Sequence, residues 1–265
     1  TVILWAVIFI AVWAFKATGG LWLLAIVSVL AHFELNQMLA IQGLKPLQWP
    51  SLAFGVLLIV SNYYAQGLGV QPGAVVLCIA AVTFMLLMLN GISLVKTIMP
   101  SLFGILLIPF MLQYYAMLMV LSGGTASDSF TPLLIPVWVI AVAKFSDVGG
   151  LLVGKQFGRH KMSPRISPNK TWEGAAGGVL FSILIGVLLN SVFQLGLSPW
   201  FCILAPIPIA ITAIFSDLIE SFLKLSSGIK DSGRVIPGIG GAFDLIDSLL
   251  LTGPVAYFLF AIFAF

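Results

Sequence analysis

The sequence is short of charged residues. Only 8% of its 265 residues are Asp, Glu, Lys or Arg, whereas 60% are hydrophobic. A soluble domain typically carries about 25% charged residues, because its surface must be covered by groups that water solvates. This composition excludes a soluble enzyme and predicts a polytopic membrane protein.

Cysteine and excess charge are scarce as well. The two cysteines, Cys78 and Cys202, lie in apolar runs, so the sequence predicts neither a disulfide framework nor a cysteine metal site. The net charge of +3 is small and there is no basic tail, so we expect no nucleic acid partner. The chain begins with Thr1 rather than Met, and we expect the numbering to start inside a longer chain.

Long apolar runs dominate what is present. A helix needs roughly 20 mainly apolar residues to cross a bilayer, where its backbone must satisfy its own hydrogen bonds. The sequence therefore predicts an all-α polytopic integral membrane protein with about nine transmembrane helices. The predicted spans are 1–15, 20–41, 50–65, 73–89, 100–121, 131–154, 171–196, 199–223 and 243–265.

Lysine and arginine in the short loops predict the orientation, because cytoplasmic loops carry an excess of these residues. If the loop after the sixth span is cytoplasmic, ten basic residues fall on that side and only Lys16 falls on the other. We expect the charged loops, 155–171 and 224–243, to face the cytosol. The expected location is the bacterial inner (plasma) membrane, with the active site open to the cytoplasm.

The charges are concentrated in one part of the sequence. Residues 1–143 contain five of them, and residues 144–247 contain the other sixteen. We therefore expect two regions. Residues 1–121 would supply transmembrane helices for packing, lipid access and dimer contacts, and residues 131–265 would form the catalytic transmembrane region.

Lys144 and Asp147 are the first candidate catalytic residues. They stand three residues apart, on one helix face inside the sixth predicted span. Ionisable residues at that depth are costly and indicate function by default. A structural ion pair that fixes helix packing is the alternative.

A basic loop follows the sixth span. Ser167 and Pro168 match an N-cap with proline at the first helical position, and the free N–H groups of such a helix end suit phosphate. The alternative for the loop cations is an anchor on anionic lipid. The candidates for binding substrate phosphate in this segment are Ser163, Arg165, Ser167, Lys170, Thr171 and Glu173.

A repeated acidic pattern supplies candidate metal ligands. The pentad Asp-Leu-Ile-acid-Ser occurs twice, beginning at Asp217 and at Asp244, with its two carboxylates on one helix face. Carboxylates on neighbouring helices repel unless cations hold them, and oxygen ligands suit Mg²⁺ bound together with substrate phosphates. We assign Asp217 and Asp244 as the metal ligands. Carboxylates that reach solvent at helix ends, and Glu220 paired with Lys224, are the alternatives.

The glycine-rich segment between the two pentads supplies the remaining candidates. Glycine lets a backbone approach a phosphate closely, and cationic side chains can neutralise the charge of that phosphate. The alternative is that the glycine-rich loop simply ends a helix. The candidates for phosphate binding here are Lys224, Lys230, Ser232 and Arg234. Asp231 and Asp247 are candidate catalytic residues that would orient the cations or complete the metal shells.

Three segments together form a specific motif. They are residues 158–174 (GRHKMSPRISPNKTWEG), 216–224 (SDLIESFLK) and 230–248 (KDSGRVIPGIGGAFDLIDS). In order and spacing they resemble the phosphatidate cytidylyltransferase (CDP-diacylglycerol synthase) family of integral membrane enzymes, whereas the N-terminal half matches only as apolar helices. The sequence departs from the family's commonest pattern at Leu225, Ile239 and Leu245, where polar or cationic residues are usual.

The resemblance implies a dimeric membrane enzyme that condenses CTP with phosphatidate, giving CDP-diacylglycerol and pyrophosphate for phospholipid synthesis. It implies Mg²⁺ as cofactor, with a monovalent cation such as K⁺ at a neighbouring site. It also places the family's metal-binding aspartates on Asp217 and Asp244. The expected partners are CTP, phosphatidate or a related lipid phosphate, the lipid bilayer and a second copy of the chain.

Other functions stay open on the sequence. An ion transporter would use Lys144, Asp147 and Asp217 as an ion path, although transporters tend to show paired repeats around a midplane site, and here the charges lie in one half. An enzyme that uses CTP on another lipid phosphate or on polyprenol would share the nucleotide site. Pyrophosphate release distinguishes cytidylyl transfer from a polyprenol kinase, which releases CDP. A catalytically inactive scaffold is a further alternative, prompted by the three departures.

Overall fold

The protein is described here from a computed structural model that covers residues 2–65, 71–123, 129–229, 231–233 and 240–264, with side chains from residue 12 onward. Most of these residues are helical. The helices are α1 (Val2–Ile41), α2 (Gln48–Tyr64), α3 (Pro72–Leu89), a π-helical turn (Leu94–Ile98), α4 (Met99–Leu107), α5 (Pro109–Gly123), α6 (Thr131–Phe157), α7 (Trp172–Phe193), α8 (Pro199–Leu204), α9 (Pro206–Ser227), α10 (Ala242–Ile246), a 3₁₀ turn (Asp247–Leu249) and α11 (Thr252–Phe263).

The all-α polytopic architecture is confirmed, whereas the count of nine spans is not. Within the described residues, seven helical stretches are long and apolar enough to cross a membrane: Val12–Ile41, Pro72–Leu89, Leu94–Gly123, Thr131–Phe157, Trp172–Phe193, Pro199–Ser227 and Ala242–Phe263. Helix α2 has only 17 residues. The first two predicted spans form one long helix with a break at Lys16, where φ is 48° and ψ is −125°.

Helices α6 and α7 pack closely because glycines remove side chains from their interface. A Cβ atom at Gly149 would lie 2.6 Å from the Cβ of Phe181, and one at Gly177 would overlap Val153. Small residues let helix backbones approach each other in a membrane, where apolar burial alone does not drive association. Ser182 adds a hydrogen bond across the same interface, from its Oγ to the Val142 carbonyl (2.8 Å).

A short β-hairpin connects α6 to α7. Strands β1 (Lys161–Ser163) and β2 (Ser167–Thr171) pair antiparallel, with Lys161 opposite Thr171 and Ser163 opposite Ser167. This hairpin lies at one end of the α6–α7 pair and places the C-terminal end of β2 directly before the first turn of α7.

The hairpin shows that the predicted helix start at Ser167 is wrong. Thr171 is the N-cap of α7, and its Oγ1 accepts a hydrogen bond from the Gly174 N–H (3.1 Å). Pro168 is compatible with an edge strand, because its missing N–H is not needed there. A Ser-Pro pair fits both settings, and only the cross-strand pairing decided between them.

The buried core runs between α1, α5, α6, α9 and α11. Trp138 and Phe260 are fully buried in it, with ring centroids 5.6 Å apart in an edge-to-face arrangement. The Trp138 indole N–H donates to the Gly186 carbonyl (2.8 Å), and the Tyr115 hydroxyl lies 2.7 Å from Thr252 Oγ1. The ring contact fixes α11 against α6, and the Tyr115 contact fixes α11 against α5.

Candidate active site

The charged residues of the C-terminal region converge from separate elements. Helix α6 carries Lys144 and Asp147, strand β2 carries Lys170, and helix α9 carries Asp217, Glu220 and Lys224. Asp244 lies in α10 and Asp247 begins the 3₁₀ turn. Contacts between these side chains link the five elements, so residues that are up to 103 positions apart share one site.

Two lysines join different elements through carboxylates. Lys144 Nζ lies 2.8 Å from Asp247 Oδ1, which ties α6 to the 3₁₀ turn. Lys170 Nζ lies 2.6 Å from Asp217 Oδ2 and donates to the Ile214 carbonyl (3.1 Å), which ties the hairpin to α9. Lys144 thus pairs with Asp247 across the bundle, and not with Asp147 one helical turn away.

A third lysine bridges two carboxylates. Lys224 Nζ lies 2.5 Å from Glu220 Oε1 and 2.6 Å from Asp244 Oδ1. Glu220 is only 3% exposed, so its charge requires a close cation or strong hydrogen bonds. The Glu220–Lys224 contact confirms the i,i+4 pairing that the sequence offered as an alternative for Glu220. It also connects α9 to α10.

Three carboxylates form a compact cluster. Oxygen atoms of Asp217, Glu220 and Asp247 lie within 4.8 Å of one another. An all-oxygen donor set of this kind suits a hard cation such as Mg²⁺, which takes one or two carboxylates and completes its shell with water and phosphate. The donor chemistry of the cluster therefore fits the cofactor that the sequence led us to expect.

Asp244 is held differently from those three carboxylates. Its Oδ1 contacts Lys224 and accepts from the Ser232 N–H (3.4 Å), and its Oδ2 accepts from the Gly241 N–H (3.0 Å). The carboxylate thereby closes the first turn of α10. The assignment of Asp217 and Asp244 as the metal pair stays a prediction.

A pocket of about 200 Å³ lies beside this charged centre, between α6, β2, α7 and α9. Its polar lining includes Asp147, Lys170, Asp217, Thr171 and Ser146. Ser146 is 1% exposed, and its Oγ has no hydrogen-bond partner among the described residues. The pocket thus joins a cation, two carboxylates and a helix N-terminus, which is a suitable surface for a phosphorylated ligand.

The remaining residues predicted from the basic loop separate into two groups. Lys170 and Thr171 reach the pocket, whereas Ser163 and Arg165 line a separate, more open pocket with Phe222 and Leu225. Ser167 lies in β2 opposite Ser163.

Glu173 faces the segment before the hairpin. Its carboxylate accepts from the Arg159 N–H (3.1 Å) and the His160 N–H (3.2 Å), and its Oε1 lies 2.6 Å from His160 Nδ1. Glu173 therefore stabilises the start of the loop in this structure.

The candidates in the glycine-rich segment are only partly described. Ser232 is buried and hydrogen-bonded, and Asp231 is exposed. Lys230 and Arg234 lie outside the described residues, as does Ile239. Of the other departures from the family pattern, Leu225 is exposed and Leu245 packs against the core.

Glu34 is a buried residue beside the site that was not among the predicted site residues. This residue of α1 is fully buried, and its carboxylate accepts hydrogen bonds from Ser232 and from the start of α10. A signal was available, because Glu34 is an ionisable residue inside a predicted span, and such residues indicate function by default. That criterion selected Lys144 and Asp147, and it applies equally to Glu34.

The fold and the site define a polytopic membrane protein with a lysine–carboxylate centre beside a small pocket. Comparison with known proteins then gives the family. The family model described as "Cytidylyltransferase family" matches residues 1–263, so the chain belongs to the cytidylyltransferase family.

Several curated proteins are similar to this chain. The phosphatidate cytidylyltransferase of Mycobacterium leprae is 44% identical over 112 residues, which are 42% of this chain and 36% of that protein. That of Bacillus subtilis is 40% identical over 119 residues, 45% of this chain and 44% of that protein. That of Staphylococcus epidermidis is 29% identical over 243 residues, 89% of each chain. The similarity to the first two spans less than half of their length.

Proposed function

We propose that this protein is a membrane nucleotidyltransferase that condenses CTP with phosphatidate to give CDP-diacylglycerol and pyrophosphate. The observation that carries the proposal is the charged centre. Three lysines from three elements lie within 2.8 Å of carboxylates, next to three clustered carboxylates and a pocket. Membership of the cytidylyltransferase family and the names of the similar proteins support it.

The reaction joins two anions. One phosphate oxygen of the lipid attacks the α-phosphorus of CTP, the bond from that phosphorus to the β-phosphate oxygen breaks, and pyrophosphate leaves. The attacking oxygen is already anionic, so the step needs no strong general base. Catalysis then depends on holding both phosphates in line and on stabilising the charge that spreads over their oxygens.

The lysines are suited to both tasks. An ammonium group has three N–H donors, so Lys170 and Lys224 can contact a phosphate while each keeps a carboxylate partner. Lys144 is one-third exposed and can contribute in the same way. Lys230 and Arg234 are proposed as further phosphate ligands on sequence grounds. Asp147 and Asp231 would orient these cations.

The acidic cluster would hold the divalent cation. A bound Mg²⁺ supplies charge neutralisation on the triphosphate and on the departing pyrophosphate. Asp217, Glu220 and Asp247 are the proposed ligands, because their oxygens already lie within 4.8 Å of one another. Asp244 stays the alternative partner of Asp217, and a K⁺ site nearby belongs to the same proposal.

We propose that the charged end faces the cytoplasm of a bacterial cell, with the chain in the inner membrane. The distribution of basic residues supports this orientation, because the loops at that end hold ten of them. CTP would then arrive from the cytosol, and the lipid would enter with its acyl chains in the bilayer. The proposed homodimer rests on the family resemblance alone.

The test is a reaction with purified protein, CTP, Mg²⁺ and phosphatidate in mixed micelles. We expect CDP-lipid and pyrophosphate in equal amounts, with both products absent when phosphatidate is replaced by diacylglycerol. Polyprenol and polyprenyl phosphate serve as competing acceptors. Release of CDP without pyrophosphate, or transfer only to a polyprenyl phosphate, would contradict the proposal. Cation flux into proteoliposomes without CTP would favour the transporter.

A further inference from the structure

A carboxylate from the first helix reaches the segment that precedes Asp244. Glu34 is 0% exposed and accepts three hydrogen bonds from that segment. The Ala242 N–H donates to Oε1 (3.0 Å), the Phe243 N–H donates to Oε2 (2.9 Å), and the Ser232 hydroxyl donates to Oε2 (3.1 Å). The donors lie about two hundred positions further along the chain, so this contact joins the two regions of the molecule.

These bonds replace a missing helix cap. A helix begins with N–H groups that have no partner within the helix, and a side chain at the N-cap usually satisfies one of them. The N-cap of α10 is Gly241, which has no side chain. Glu34 accepts the N–H groups of the first two helical residues instead, and its negative charge is favourable at a helix N-terminus.

Two glycines allow the carboxylate to come this close. A Cβ atom added to Gly241 would lie 2.5 Å from Glu34 Oε2, and one added to Gly233 would overlap the same carboxylate. The sequence suggested that glycines in this segment admit a phosphate. At Gly233 and Gly241, the group they admit in this structure is Glu34.

The segment held by Glu34 also holds Asp244. The Ser232 N–H donates to Asp244 Oδ1 and the Gly241 N–H donates to Asp244 Oδ2, while Oδ1 contacts Lys224. Ser232 therefore contacts Glu34 through its hydroxyl and Asp244 through its backbone. A shift of this segment would move Asp244 and change where Lys224 can place its ammonium group.

The turn that follows α1 also contacts the other end of the same segment. Gln42 Nε2 donates to Ser227 Oγ (2.8 Å) and to Ser226 Oγ (3.1 Å), at the last turn of α9. Glu34 in α1 and Gln42 directly after α1 thus contact both ends of the connection between α9 and α10.

From these contacts we infer that Glu34 is a positioning residue for the nucleotide. Its carboxylate fixes the segment of Ser232 and the start of α10, and thereby sets Asp244 and Lys224 in the geometry that binds the CTP phosphates. The inference rests on the proposed function. It assigns a role in that function to the N-terminal region, from which the sequence indicated only packing, lipid access and dimer contacts.

The test compares Glu34→Gln with Asn36→Ala by direct CTP binding without lipid acceptor, by steady-state kinetics and by thermal unfolding in detergent. Glutamine has the same shape, but its amide turns a donor toward groups that need an acceptor. Asn36 is also buried in α1, yet it contacts Ser51 on α2 (3.4 Å). It therefore controls for loss of a buried polar contact in the same helix.

We expect Glu34→Gln to weaken CTP binding about 10- to 100-fold, the range typical of residues that orient a ligand shell. The KM for CTP should rise by a similar factor, and the KM for phosphatidate should stay within twofold. Asn36→Ala should lower the unfolding temperature about as much as Glu34→Gln does. It should leave CTP binding within twofold of wild type. If Glu34→Gln does not fold, Glu34→Asp is measured instead, because it keeps the charge and withdraws the oxygens by one methylene.

Each outcome decides the inference. CTP binding at the wild-type level in Glu34→Gln, or in Glu34→Asp where that variant is the one measured, overturns it, and so does an equal loss of binding in Asn36→Ala. Failure of the proposed function is seen separately, as wild-type protein that binds CTP yet forms no CDP-lipid. Wild-type protein that binds no CTP overturns both.

Discussion

The two regions of the molecule use polar groups in different ways. In the N-terminal region the described buried contacts include neutral pairs, such as Asn62 Nδ2 to Gln113 Oε1 (2.5 Å) and Asn36 Nδ2 to Ser51 Oγ (3.4 Å). The four described lysine–carboxylate contacts all lie between Lys144 and Asp247. Neutral pairs can hold helices together in a membrane at low cost, whereas buried charges are costly and are kept where a ligand needs them.

Glu34 is the exception that connects the regions. It is an acidic residue of the apolar region, yet its three hydrogen bonds go to the charged region. The comparison therefore predicts that changes in the charged region lower activity even where stability is restored, that neutral changes in the apolar region lower stability and leave activity near wild type, and that Glu34 behaves like the former.

The largest effect is expected from Asp217→Asn. This change removes the Lys170 partner and one carboxylate of the acidic cluster while keeping the side-chain volume. Loss of a metal ligand together with a positioned phosphate lysine should lower kcat/KM for CTP by about 100- to 1,000-fold, as for the loss of other major electrostatic contributions to catalysis. The measurement is CDP-lipid formation with varied Mg²⁺.

The same assay compares the three aspartates. Asp247→Asn should match Asp217→Asn if the cluster holds the cation, and Asp244→Asn should match it if the predicted pair does. Wild-type activity and wild-type Mg²⁺ dependence in one of these variants would show that the changed residue is not a metal ligand.

Lys224→Met should have the next largest effect. It leaves Glu220 and Asp244 without their shared cation, and Glu220 is 3% exposed. Breaking a buried pair from one side typically destabilises a protein by about 3–5 kcal/mol, and unfolding in detergent should show it. The double variant Lys224→Met/Glu220→Gln should recover much of that stability but none of the activity. Recovery of activity would mean that Lys224 serves structure alone.

The sequence predicted contacts between residues that are close along the chain, but not contacts between residues that are far apart along it. Asp217 and Glu220, like Asp244 and Asp247, were placed together because one helical turn separates them, and this spacing is local. The Lys144–Asp247 contact and the three donors to Glu34 join residues more than one hundred positions apart. No periodicity encodes such a pairing, because the packing of whole helices determines it.

The predicted helix cap at Ser167 was wrong for a related reason. The local sequence Ser-Pro fits the start of a helix and also an edge strand, so both were physically available. Pairing between Ser163 and Ser167 across the hairpin selected the strand, and Thr171 then became the cap. The approximate span, beginning at Thr171, was predicted from hydropathy and is consistent with the observed helix.

Asn62→Ala tests the neutral buried contacts of the N-terminal region and should have a smaller effect than Lys224→Met. Asn62 is 2% exposed and bonds Gln113 and the Gly73 N–H, so its loss leaves buried polar groups on α3 and α5. We expect a loss of about 1–3 kcal/mol in unfolding free energy. The kcat and KM of the folded fraction should stay within twofold of wild type. A tenfold loss of kcat at full folding would contradict the division between the regions.

The smallest effect is expected from Arg165→Gln. It tests whether an exposed cation of the charged region contributes less to substrate binding than a half-buried one. Arg165 is exposed on the hairpin, whereas Lys170 is 22% exposed and bonded to Asp217. An exposed ion contact contributes about 0.2–1 kcal/mol, and the screening length falls from about 8 Å at 0.15 M salt to about 3 Å at 1 M. Arg165→Gln should therefore raise the KM for phosphatidate about two- to fivefold at low salt, and the difference should vanish at 1 M.

Lys170→Gln is the matched change at a shielded position, and its larger loss should persist at both salt concentrations. A salt-independent loss in Arg165→Gln as large as that of Lys170→Gln would show that the hairpin turn itself closes over the substrate.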